Sequence, residues 1–468
     1  MKNNFLKKYW IFILLFLITT FYLQFIFSGS LLLWDEPVYL GNARSHITTS
    51  NFTEDFRFPL LEYFIAFIWL LFGESIISAQ ILMILFSLLT IYVFYLISKQ
   101  FFKEDIYVFL STFLFAFSST LLFWSYRVYT DIPSLCFMLL AILFFLKFLK
   151  ERKEYQLFLS GIFTSLSFLM RFSAVLFSFI IISYLGIMLI KQFLKNKNLF
   201  YFKSMIFYAL GNLLILTPWM LYNYLKYKNP LWDLMTQSSV IAEYTTWQSP
   251  LLFLKDIYLE LGLSLLLILF YLLYFLDKNQ KKEFKDYFLL ILIVLTLCFH
   301  LFYIRLKLTR YVLMISPFLF LALVIGLKYL FSKINFKFIK IILVTLIIFN
   351  SLLIANDKIY SMNEQINCEK DGAFYNSIDY AMKNIPEDKT IVSNSWPWYG
   401  YYGNHKVFSF WNDNLTMFIE KYNTSSFIYV QNGGLEINQK ILDDYDAIYL
   451  EKTFKDDCNQ QVFIYSIK

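Results

Sequence analysis

Residues 9–46 of the chain are YWIFILLFLITTFYLQFIFSGSLLLWDEPVYLGNARSH, and this stretch decides how the rest is interpreted. Its first half is strongly apolar and long enough to cross a bilayer as a helix, which needs about 20 such residues. A basic N-terminus precedes it, as in a secretory signal, but no small-residue cleavage site follows. The chain then places two adjacent carboxylates, Asp35 and Glu36, at the membrane boundary. We therefore predict a retained first transmembrane helix that leads to an acidic pair on the outer side.

The composition identifies a membrane protein with a water-facing tail. The chain has 468 residues, of which 59% are hydrophobic, 21% aromatic and only 16% charged. Such values lie far outside the range of soluble domains. Apolar windows recur up to residue 356, whereas the remainder carries 16 acidic and 10 basic residues with Gly, Pro and Asn between short apolar runs. We predict a membrane domain, residues 1–356, and a soluble domain, residues 357–468.

Eleven transmembrane helices are predicted, and the placement of lysine orients them. With the N-terminus in the cytoplasm, the cytoplasmic segments hold 21 of the 41 basic residues, as the positive-inside rule requires. An odd number of spans then places the C-terminal domain outside the cell. One long helix over 155–190 would instead reverse the topology downstream. The predicted spans are 9–29, 76–98, 106–123, 131–149, 155–170, 172–190, 204–222, 251–276, 287–304, 311–330 and 338–356.

The first outer loop is predicted to be long and pressed against the membrane. Its segment 51–73 is apolar, but making it a span would break the lysine pattern. A helix lying along the outer interface, anchored by aromatic side chains, fits better. The same interpretation applies to the amphipathic piece after Pro37.

Arginine is segregated from lysine in this chain. Six of the seven arginines lie in predicted outer loops or at outer helix ends, whereas the cytoplasmic positions are almost all lysine. Because a guanidinium binds phosphate through two parallel hydrogen bonds, these arginines predict a phosphate-binding rim. The alternative is that they reach lipid headgroups or pair with nearby acids. The six are Arg44, Arg57, Arg127, Arg171, Arg305 and Arg310.

Carboxylates occur on the same predicted side. Asp35 and Glu36 follow the first span, and Asp131 begins the fourth span at the same level. Ionisable groups at such positions often mark pathways or sites, because they are costly unless solvated or paired. A helix cap is the alternative for Asp131, since Pro133 lies in the first turn. The same alternative applies to Asp35, which is followed by Glu36 and Pro37.

Several segments in this order resemble the GT-C membrane glycosyltransferases. They are WDEPVYLGNA after the first span, FRFPLLEYFIAFIWLLFG in the outer loop, YTDIPSLCFMLLAILFF, TPWMLYNYLKYKNPLW and TRYVLMISPFLFLAL. Within that superfamily the chain resembles the protein O-mannosyltransferase and aminoarabinose-transferase branch, of the type of glycosyltransferase family 39. The resemblance implies an all-α polytopic domain of GT-C type followed by an α/β extracytoplasmic domain. It also implies a polyprenyl-phosphate-linked sugar donor bound from the bilayer.

The resemblance also implies roles for residues. Asp35 matches the aspartate of the family's first outer loop, Glu36 its companion and Asp131 the later outer acid, while Arg310 and Tyr311 match a pair that holds the lipid phosphate. Family members often carry His or Glu just before the loop proline, and some use it to bind metal. Here Arg57-Phe58-Pro59 stands at that position. No cofactor is assigned; a divalent metal stays open, with His300 as a candidate ligand.

The predicted activity is transfer of a sugar from the lipid-linked donor to an acceptor hydroxyl of a protein, glycan or lipid. Asp35 would act as general base, with inversion at the anomeric carbon. The chain has no P-loop and no dinucleotide fingerprint, which favours a lipid donor over a nucleotide donor. We expect a plasma-membrane enzyme of the cell envelope with no nucleic-acid partner. A transporter of a lipid-linked or anionic substrate is the alternative, although no internal repeat is evident.

The tail is predicted to be α/β. A helix is expected over 372–385, with strands near 390–395, 406–410, 426–430, 446–450 and 461–467 and further helical pieces near 415–421 and 435–442. The aromatic segment 395–403 either stacks on sugar or acceptor or rests on the membrane domain. Cys136 and Cys298 lie in predicted spans, whereas Cys368 and Cys458 either form a disulfide or stay reduced.

Overall fold

The structure is a computed structural model and describes residues 2–27, 31–196, 199–369, 372–409, 418–420, 424–431 and 445–467. The predicted helical piece 435–442 and most of 415–421 lie outside these residues. Within them the chain forms a large helical part followed by a small sheet. Its α-helices are α1 (Lys2–Ile26), α2 (Asp35–Ser45), α3 (Leu60–Phe72), α4 (Ile76–Phe101), α5 (Asp105–Ala116), α6 (Ser119–Trp124), α7 (Asp131–Glu151), α8 (Glu154–Met170), α9 (Val175–Asn196), α10 (Phe200–Tyr227), α11 (Trp232–Tyr244), α12 (Pro250–Leu261), α13 (Leu266–Leu276), α14 (Phe284–Phe302), α15 (Ser316–Lys333), α16 (Lys337–Glu369), α17 (Ala373–Asn384) and α18 (Trp396–Gly403).

The strands are β1 (Thr390–Ser393), β2 (Lys406–Ser409), β3 (Thr424–Gln431), β4 (Ile448–Lys455) and β5 (Gln461–Ile467). Short 3₁₀ helices occur at Phe172–Ala174, Gly262–Leu265 and Thr309–Met314. The predicted architecture, an all-α membrane part followed by an α/β tail, is therefore confirmed.

Each of the eleven predicted spans overlaps a helix of the described structure. In the part of the chain that the structure describes, nine helices are long and apolar enough to cross a membrane. The other two predicted spans correspond to shorter helices. The span at 106–123 is divided between α5 and α6, and the span at 155–170 is the 17-residue α8.

Helical structure is interrupted between α8 and α9, as the prediction of eleven spans requires. Arg171 has extended backbone angles, with φ −155° and ψ 122°, and a 3₁₀ turn follows it. One continuous helix over 155–190, the alternative that reverses the downstream topology, is therefore absent from this described segment.

Both predicted helices of the first outer loop are present. Helix α2 begins at Asp35, and α3 has 13 residues. At a rise of 1.5 Å per residue α3 is about 20 Å long, too short to cross a hydrocarbon core of about 30 Å. Their orientation along the membrane surface stays a prediction.

Helix α7 is the centre of the helical part. The structure buries 78% of its apolar window, compared with 11% for the peripheral α16. Helices α8 and α10 cross closely where Gly161 and Gly211 face each other's backbone, because a Cβ at either position would collide with a carbonyl of the other helix. Small residues allow such close helix contacts in membranes.

Lysine side chains gather at one end of the bundle. The Lys328 ammonium lies 2.8 Å from Glu104, and Lys285 donates to the Gln100 carbonyl at 2.7 Å. These contacts join the C-termini of α4 and α15 to the N-termini of α5 and α14. The N-termini of α7 and α15 lie at the other end, together with α2, where the arginines and acids of the candidate site meet.

The tail folds around a mixed five-stranded sheet of order β2-β1-β3-β5-β4. Strand β1 pairs in parallel with β2 and β3, whereas β5 is antiparallel to β3 and β4. Phe374 and Ile378 of α17 pack on Ile428 and Ile464 of the sheet. The predicted tail helix and strands are confirmed.

A disulfide bond joins the end of α16 to the tail. Cys368, at the end of α16, and Cys458 form a disulfide. The predicted domain boundary at residue 356 lies inside α16, a helix that continues to Glu369. The division into 1–356 and 357–468 therefore stays a prediction based on composition.

Candidate active site

Asp35 lies between two arginines that are far away in sequence. Its Oδ1 accepts a hydrogen bond from Arg57 Nη2 at 3.1 Å, and its Oδ2 accepts one from Arg310 Nη1 at 2.8 Å. Arg57 comes from the loop between α2 and α3, and Arg310 comes from the 3₁₀ helix before α15. That 3₁₀ helix packs on α7, which fixes the position of Arg310. Each carboxylate oxygen thus faces its own guanidinium.

The two arginines control the ionisation of Asp35. Burial acts to raise the pKa of this carboxyl, but the charges and hydrogen bonds of Arg57 and Arg310 outweigh burial and lower the pKa to about 2. Asp35 is therefore a carboxylate at every physiological pH. A carboxylate held so firmly is a weak base until one of its guanidinium partners is engaged elsewhere.

Arg310 has hydrogen-bonding capacity left for a further anion. Its Nε is buried and has no hydrogen-bond partner within the described residues. Its guanidinium lies over the ring of Tyr129, 5.0 Å from the centroid, and the Tyr129 hydroxyl accepts the backbone N–H of Asp35 at 3.2 Å. Burial would lower the pKa of Arg310, but Asp35 and Asp131 keep it well above its usual value.

A second ion pair adjoins the first. Asp131, at the start of α7, binds Arg171 through Oδ1, whereas its buried Oδ2 has no partner in the described structure. The Arg171 guanidinium lies over the ring of Tyr311 at 4.6 Å from the centroid. The Arg310 guanidinium lies 5.9 Å from the centroid of the same ring, so Tyr311 neighbours both arginines. The structure therefore brings together six predicted site residues, Asp35, Arg57, Asp131, Arg171, Arg310 and Tyr311.

Glu36 points away from this group and is fully buried. Its Oε1 accepts the Val128 N–H at 2.6 Å, and its Oε2 accepts the Leu33 N–H at 2.5 Å and lies 3.4 Å from Arg127. Arg127 also donates to the Leu31 carbonyl at 2.8 Å. This pair joins the first turn of α2 to the loop before α7. Its contacts are those of a structural ion pair, and Arg127 takes no place beside Asp35.

Two further predicted arginines also make their contacts elsewhere. Arg44 binds Glu74 at 2.6 Å and donates to the Tyr401 carbonyl at 2.7 Å, so it fastens α2 to the tail. Arg305 is exposed in the loop after α14, where its carbonyl accepts the Gln248 N–H at 3.1 Å. Of the six arginines expected to form a phosphate-binding rim, three therefore lie at the site and three do not. Those at the site are Arg57, Arg171 and Arg310. The position of an arginine in the sequence did not predict the direction of its side chain.

The residues do not fit a metal centre. His300 is buried against the ring of Phe253, with centroids 5.1 Å apart, and its Nδ1 lies 2.9 Å from the Thr296 carbonyl. Both oxygens of Asp35 already face guanidinium groups. Among the described residues, no group of three or more His, Cys, Asp or Glu side chains could hold a metal ion. We derive no step through a metal.

Two residues near Asp35 were not predicted from the sequence. Glu54 accepts from Arg57 Nε at 3.0 Å, three positions away in the chain, and also accepts a longer bond of 3.3 Å from Trp396 in the tail. Tyr129 supports Asp35 and Arg310, as described above. Glu54 lies three residues before Arg57 in the predicted outer loop, so the sequence contained a signal for it. Its contact with the tail depends on the tertiary structure.

The tail docks directly above this site. Helix α18 packs on α2, and Trp398 donates its indole N–H to the Leu32 carbonyl at 2.8 Å. Leu31 joins the apolar core of the tail. Gly400 lies against the Phe52 ring so closely that a Cβ would not fit. The aromatic segment 395–403 therefore rests on the membrane domain, one of the two predicted interpretations.

A protein-family model matches part of the chain. Residues 57–226 match the model described as dolichyl-phosphate-mannose-protein mannosyltransferase, PMT_2. The matched part includes Arg57, Asp131 and Arg171 but begins after Asp35. No curated protein matches the chain significantly.

Solved structures match nearly the whole chain. The structure of ArnT from Cupriavidus metallidurans bound to undecaprenyl phosphate superposes with a TM-score of 0.65 at 12% identity, covering 97% of this chain and 98% of that chain. Its apo state gives the same score and identity, covering 97% of each chain. Arabinofuranosyltransferase AftD from mycobacteria gives 0.56 at 10% identity, covering 97% of this chain but 40% of its own. This chain is therefore an integral membrane protein with the fold of the GT-C superfamily of membrane glycosyltransferases.

Proposed function

We propose that the chain transfers a sugar from a polyprenyl-phosphate-linked donor to an acceptor hydroxyl at the outer membrane surface. One observation carries this proposal: Asp35 lies between Arg57 and Arg310 at the end of the bundle where the tail docks. A carboxylate supplies a base, and guanidinium groups supply a binding site for phosphate. Sugar transfer from a lipid phosphate needs both.

The donor phosphate fits between Arg310 and Arg171. Arg310 has an unused, buried Nε–H. Both guanidinium groups lie near the ring of Tyr311, Arg171 at 4.6 Å and Arg310 at 5.9 Å from its centroid. Charge-assisted bonds from guanidinium groups to phosphate oxygens are among the stronger hydrogen bonds in proteins. ArnT was solved with undecaprenyl phosphate bound, and its fold is the one seen here. This likeness supports a polyprenyl phosphate as the lipid part of the donor.

Donor binding would prepare Asp35 for its task. A phosphate competes with Asp35 for Arg310, and loss of one guanidinium raises the pKa of Asp35 from about 2. The stronger base then accepts the acceptor's hydroxyl proton while the hydroxyl oxygen attacks the anomeric carbon. The bond from that carbon to the phosphate oxygen breaks, and the lipid phosphate leaves with the electron pair. Direct displacement inverts the anomeric centre.

The arginines would then stabilise the leaving group. Charge that develops on the departing phosphate is met by donors already in place, so no general acid is required. Glu36 and Arg127 are given a positioning role, because they fix the start of α2 from the side opposite to the guanidinium groups. We assign no catalytic step to Arg44 or Arg305.

We further propose that the site and the tail are extracytoplasmic and that the N-terminus is cytoplasmic. Lysines converge at the end of the bundle away from the site, as the positive-inside rule predicts for a cytoplasmic face. The Cys368–Cys458 disulfide is the kind of bond that persists in an oxidising compartment. Modification of a cysteine introduced at an exposed tail position by an impermeant maleimide in intact cells tests this orientation.

The test of the activity is sugar transfer by the Asp35→Asn variant. We expect transfer from a radiolabelled polyprenyl phosphate sugar to fall by about 10²–10⁴-fold, the usual contribution of a general base. Binding of undecaprenyl phosphate should persist, because Asn removes the negative charge but leaves both arginines. Transfer is measured in isolated membranes and normalised to the amount of folded protein.

Asp55→Asn is the matched control. Asp55 belongs to the same outer loop, but it is 53% exposed and pairs with Lys226 at 3.4 Å, so its replacement should leave transfer unchanged. Near-normal transfer by Asp35→Asn would refute the base assignment. Movement of the lipid across the bilayer without sugar transfer by the unaltered protein would instead favour a transporter.

A further inference from the structure

Two tryptophans meet at the junction of the two parts of the molecule. Trp34 comes immediately before Asp35, and Trp396 begins α18 of the tail. Their rings are perpendicular, with centroids 4.9 Å apart. Both side chains are only partly buried. We call this perpendicular, partly exposed pair of indoles the corner.

The neighbouring Trp398 behaves differently. It also contacts Trp34, with centroids 5.4 Å apart, but it is only 8% exposed. Its N–H is used by the Leu32 carbonyl, and its ring packs on Phe374. Trp398 therefore attaches the tail to the membrane domain. Trp34 and Trp396 keep accessible surface that this attachment does not require.

A chain of polar contacts leads from this corner to the proposed base. Trp396 Nε1 lies 3.3 Å from Glu54 Oε1, Glu54 Oε2 accepts from Arg57 at 3.0 Å, and Arg57 binds Asp35 at 3.1 Å. The indole pair thus lies two carboxylate–guanidinium contacts from Asp35. An acceptor held on the corner would lie beside the residues that contact that carboxylate.

We propose that Trp34 and Trp396 form the acceptor platform and that the acceptor is a saccharide. This inference rests on the proposed function and adds the acceptor's class. The C–H face of a sugar ring stacks on an indole, and its hydroxyl groups bond to nearby carboxylate and guanidinium groups. The corner offers both, through the two indoles and through Glu54 and Arg57.

A peptide acceptor fits the same surface less well. An extended peptide is recognised by main-chain hydrogen bonds to a sheet edge or by pockets for its side chains. The described part of the corner comes from α18, Trp34 and the loop before α3, and it presents no strand edge. Rigid aromatic faces next to charged groups match a ring that is apolar on its faces and polar at its rim.

The experiment measures saccharide binding by the full-length protein in phospholipid nanodiscs. The probes are a methyl-capped hexose trisaccharide and a serine- and threonine-rich peptide, each followed by saturation-transfer NMR without donor. We expect signal from the trisaccharide alone. The Trp396→Ala variant should weaken that signal at least fivefold and raise the KM for a saccharide acceptor about tenfold, with kcat altered less.

Two variants separate stacking from folding. Trp396→Phe keeps an aromatic face but loses the N–H to Glu54, so we expect most of the binding to remain. Trp398→Phe is the matched control on the same helix. It should lower the melting temperature while leaving trisaccharide binding within about twofold, because Trp398 serves in attachment.

The outcomes distinguish this inference from the proposed function. Binding of undecaprenyl phosphate is measured separately, and its absence together with absent transfer contradicts the proposed function. If the lipid binds and sugar is transferred, but the peptide gives the signal or Trp396→Ala matches the unaltered protein, the saccharide platform is wrong. Equal losses in Trp396→Ala and Trp398→Phe also contradict it.

Discussion

Asp35 and Glu36 are neighbours in the chain, and each pairs with arginine, yet their surroundings are opposite. The side chains of Arg57 and Arg310 are 16% and 18% exposed beside Asp35, whereas Arg127 and Glu36 are 2% and 0% exposed. Helix geometry explains the difference, because successive residues point about 100° apart around the axis. One acid faces a partly open site, and the other faces the packed interior. We therefore assign the Asp35 pairs to the proposed reaction and the Glu36–Arg127 pair to the fold.

After Asp35→Asn, the largest effect on transfer is expected at Arg310. Arg310→Ala removes one partner of Asp35 and the unused N–H assigned to the donor phosphate. We expect transfer to fall about 10²–10³-fold, the size usually lost with one donor to a developing anion. Affinity for undecaprenyl phosphate should also fall. Both are measured on purified protein.

Arg127→Ala is the comparison for that variant. Loss of Arg127 leaves Glu36 buried without its cation, which costs about 3–5 kcal/mol in comparable cases. The amount of folded protein should drop, while the folded fraction binds undecaprenyl phosphate normally. If Arg127→Ala abolished lipid binding without loss of stability, the division into a chemical and a structural pair would be wrong.

A smaller effect on transfer is expected at Glu36. Glu36→Gln keeps the shape but weakens the bonds to the Leu33 and Val128 backbone groups, so unfolding should become easier by about 1–3 kcal/mol. Transfer per folded molecule should fall less than tenfold. Thermal denaturation with activity measured on the same sample checks this. A loss equal to that of Asp35→Asn would give Glu36 a part in the chemistry.

Donor binding should shift the pH dependence of activity, because it changes the pKa of Asp35. Asp35 acts as a base only when ionised, so activity is lost as the pH falls through its pKa. In the free enzyme that pKa is about 2, and no acid limb from Asp35 should appear in kcat/KM above about pH 3. With donor holding Arg310, the limb in kcat should appear at a higher pH. Identical limbs in the two profiles would contradict competition between phosphate and Asp35.

The smallest effect on transfer is expected from the disulfide. Replacing Cys368 and Cys458 by serine frees a loop of 90 residues, and such bonds typically contribute about 2–4 kcal/mol. The tail should unfold at a lower temperature, whereas transfer at low temperature should change less than threefold. Thermal unfolding and transfer assays of the double variant test this. A large loss of transfer at low temperature would contradict this expectation. It would show that transfer depends on the disulfide within the tail and not only on the contact of the tail with the membrane domain.

Much of the fold followed from the pattern of apolar residues. The predicted spans coincide with helices because the bilayer requires about 20 apolar residues with every backbone group bonded internally. The break between α8 and α9 was harder to predict. It falls at Arg171, whose apolar flanks are equally compatible with one long helix. The break brings Arg171 to Asp131.

The candidate site was predicted only in part. The expectation that acids and arginines would share one end located Asp35, Arg57 and Arg310 correctly near one another in the fold. It did not separate them from Arg44 and Arg127, which have the same residue type and predicted membrane side. Which way a guanidinium points depends on its partners, and Glu74, Tyr401 and Glu36 are partners that only packing supplies.

The sequence by itself determined that this protein crosses the membrane many times, where its helices lie and which residue types collect at which end. Hydrophobicity and charge act over whole segments, so they can be followed along the chain. The tertiary structure alone decided that Asp35 would face two guanidinium groups while Glu36 was sealed inside, and that a tail tryptophan would lie beside the first outer loop. Those outcomes depend on contacts between residues up to 366 positions apart, which no local pattern encodes.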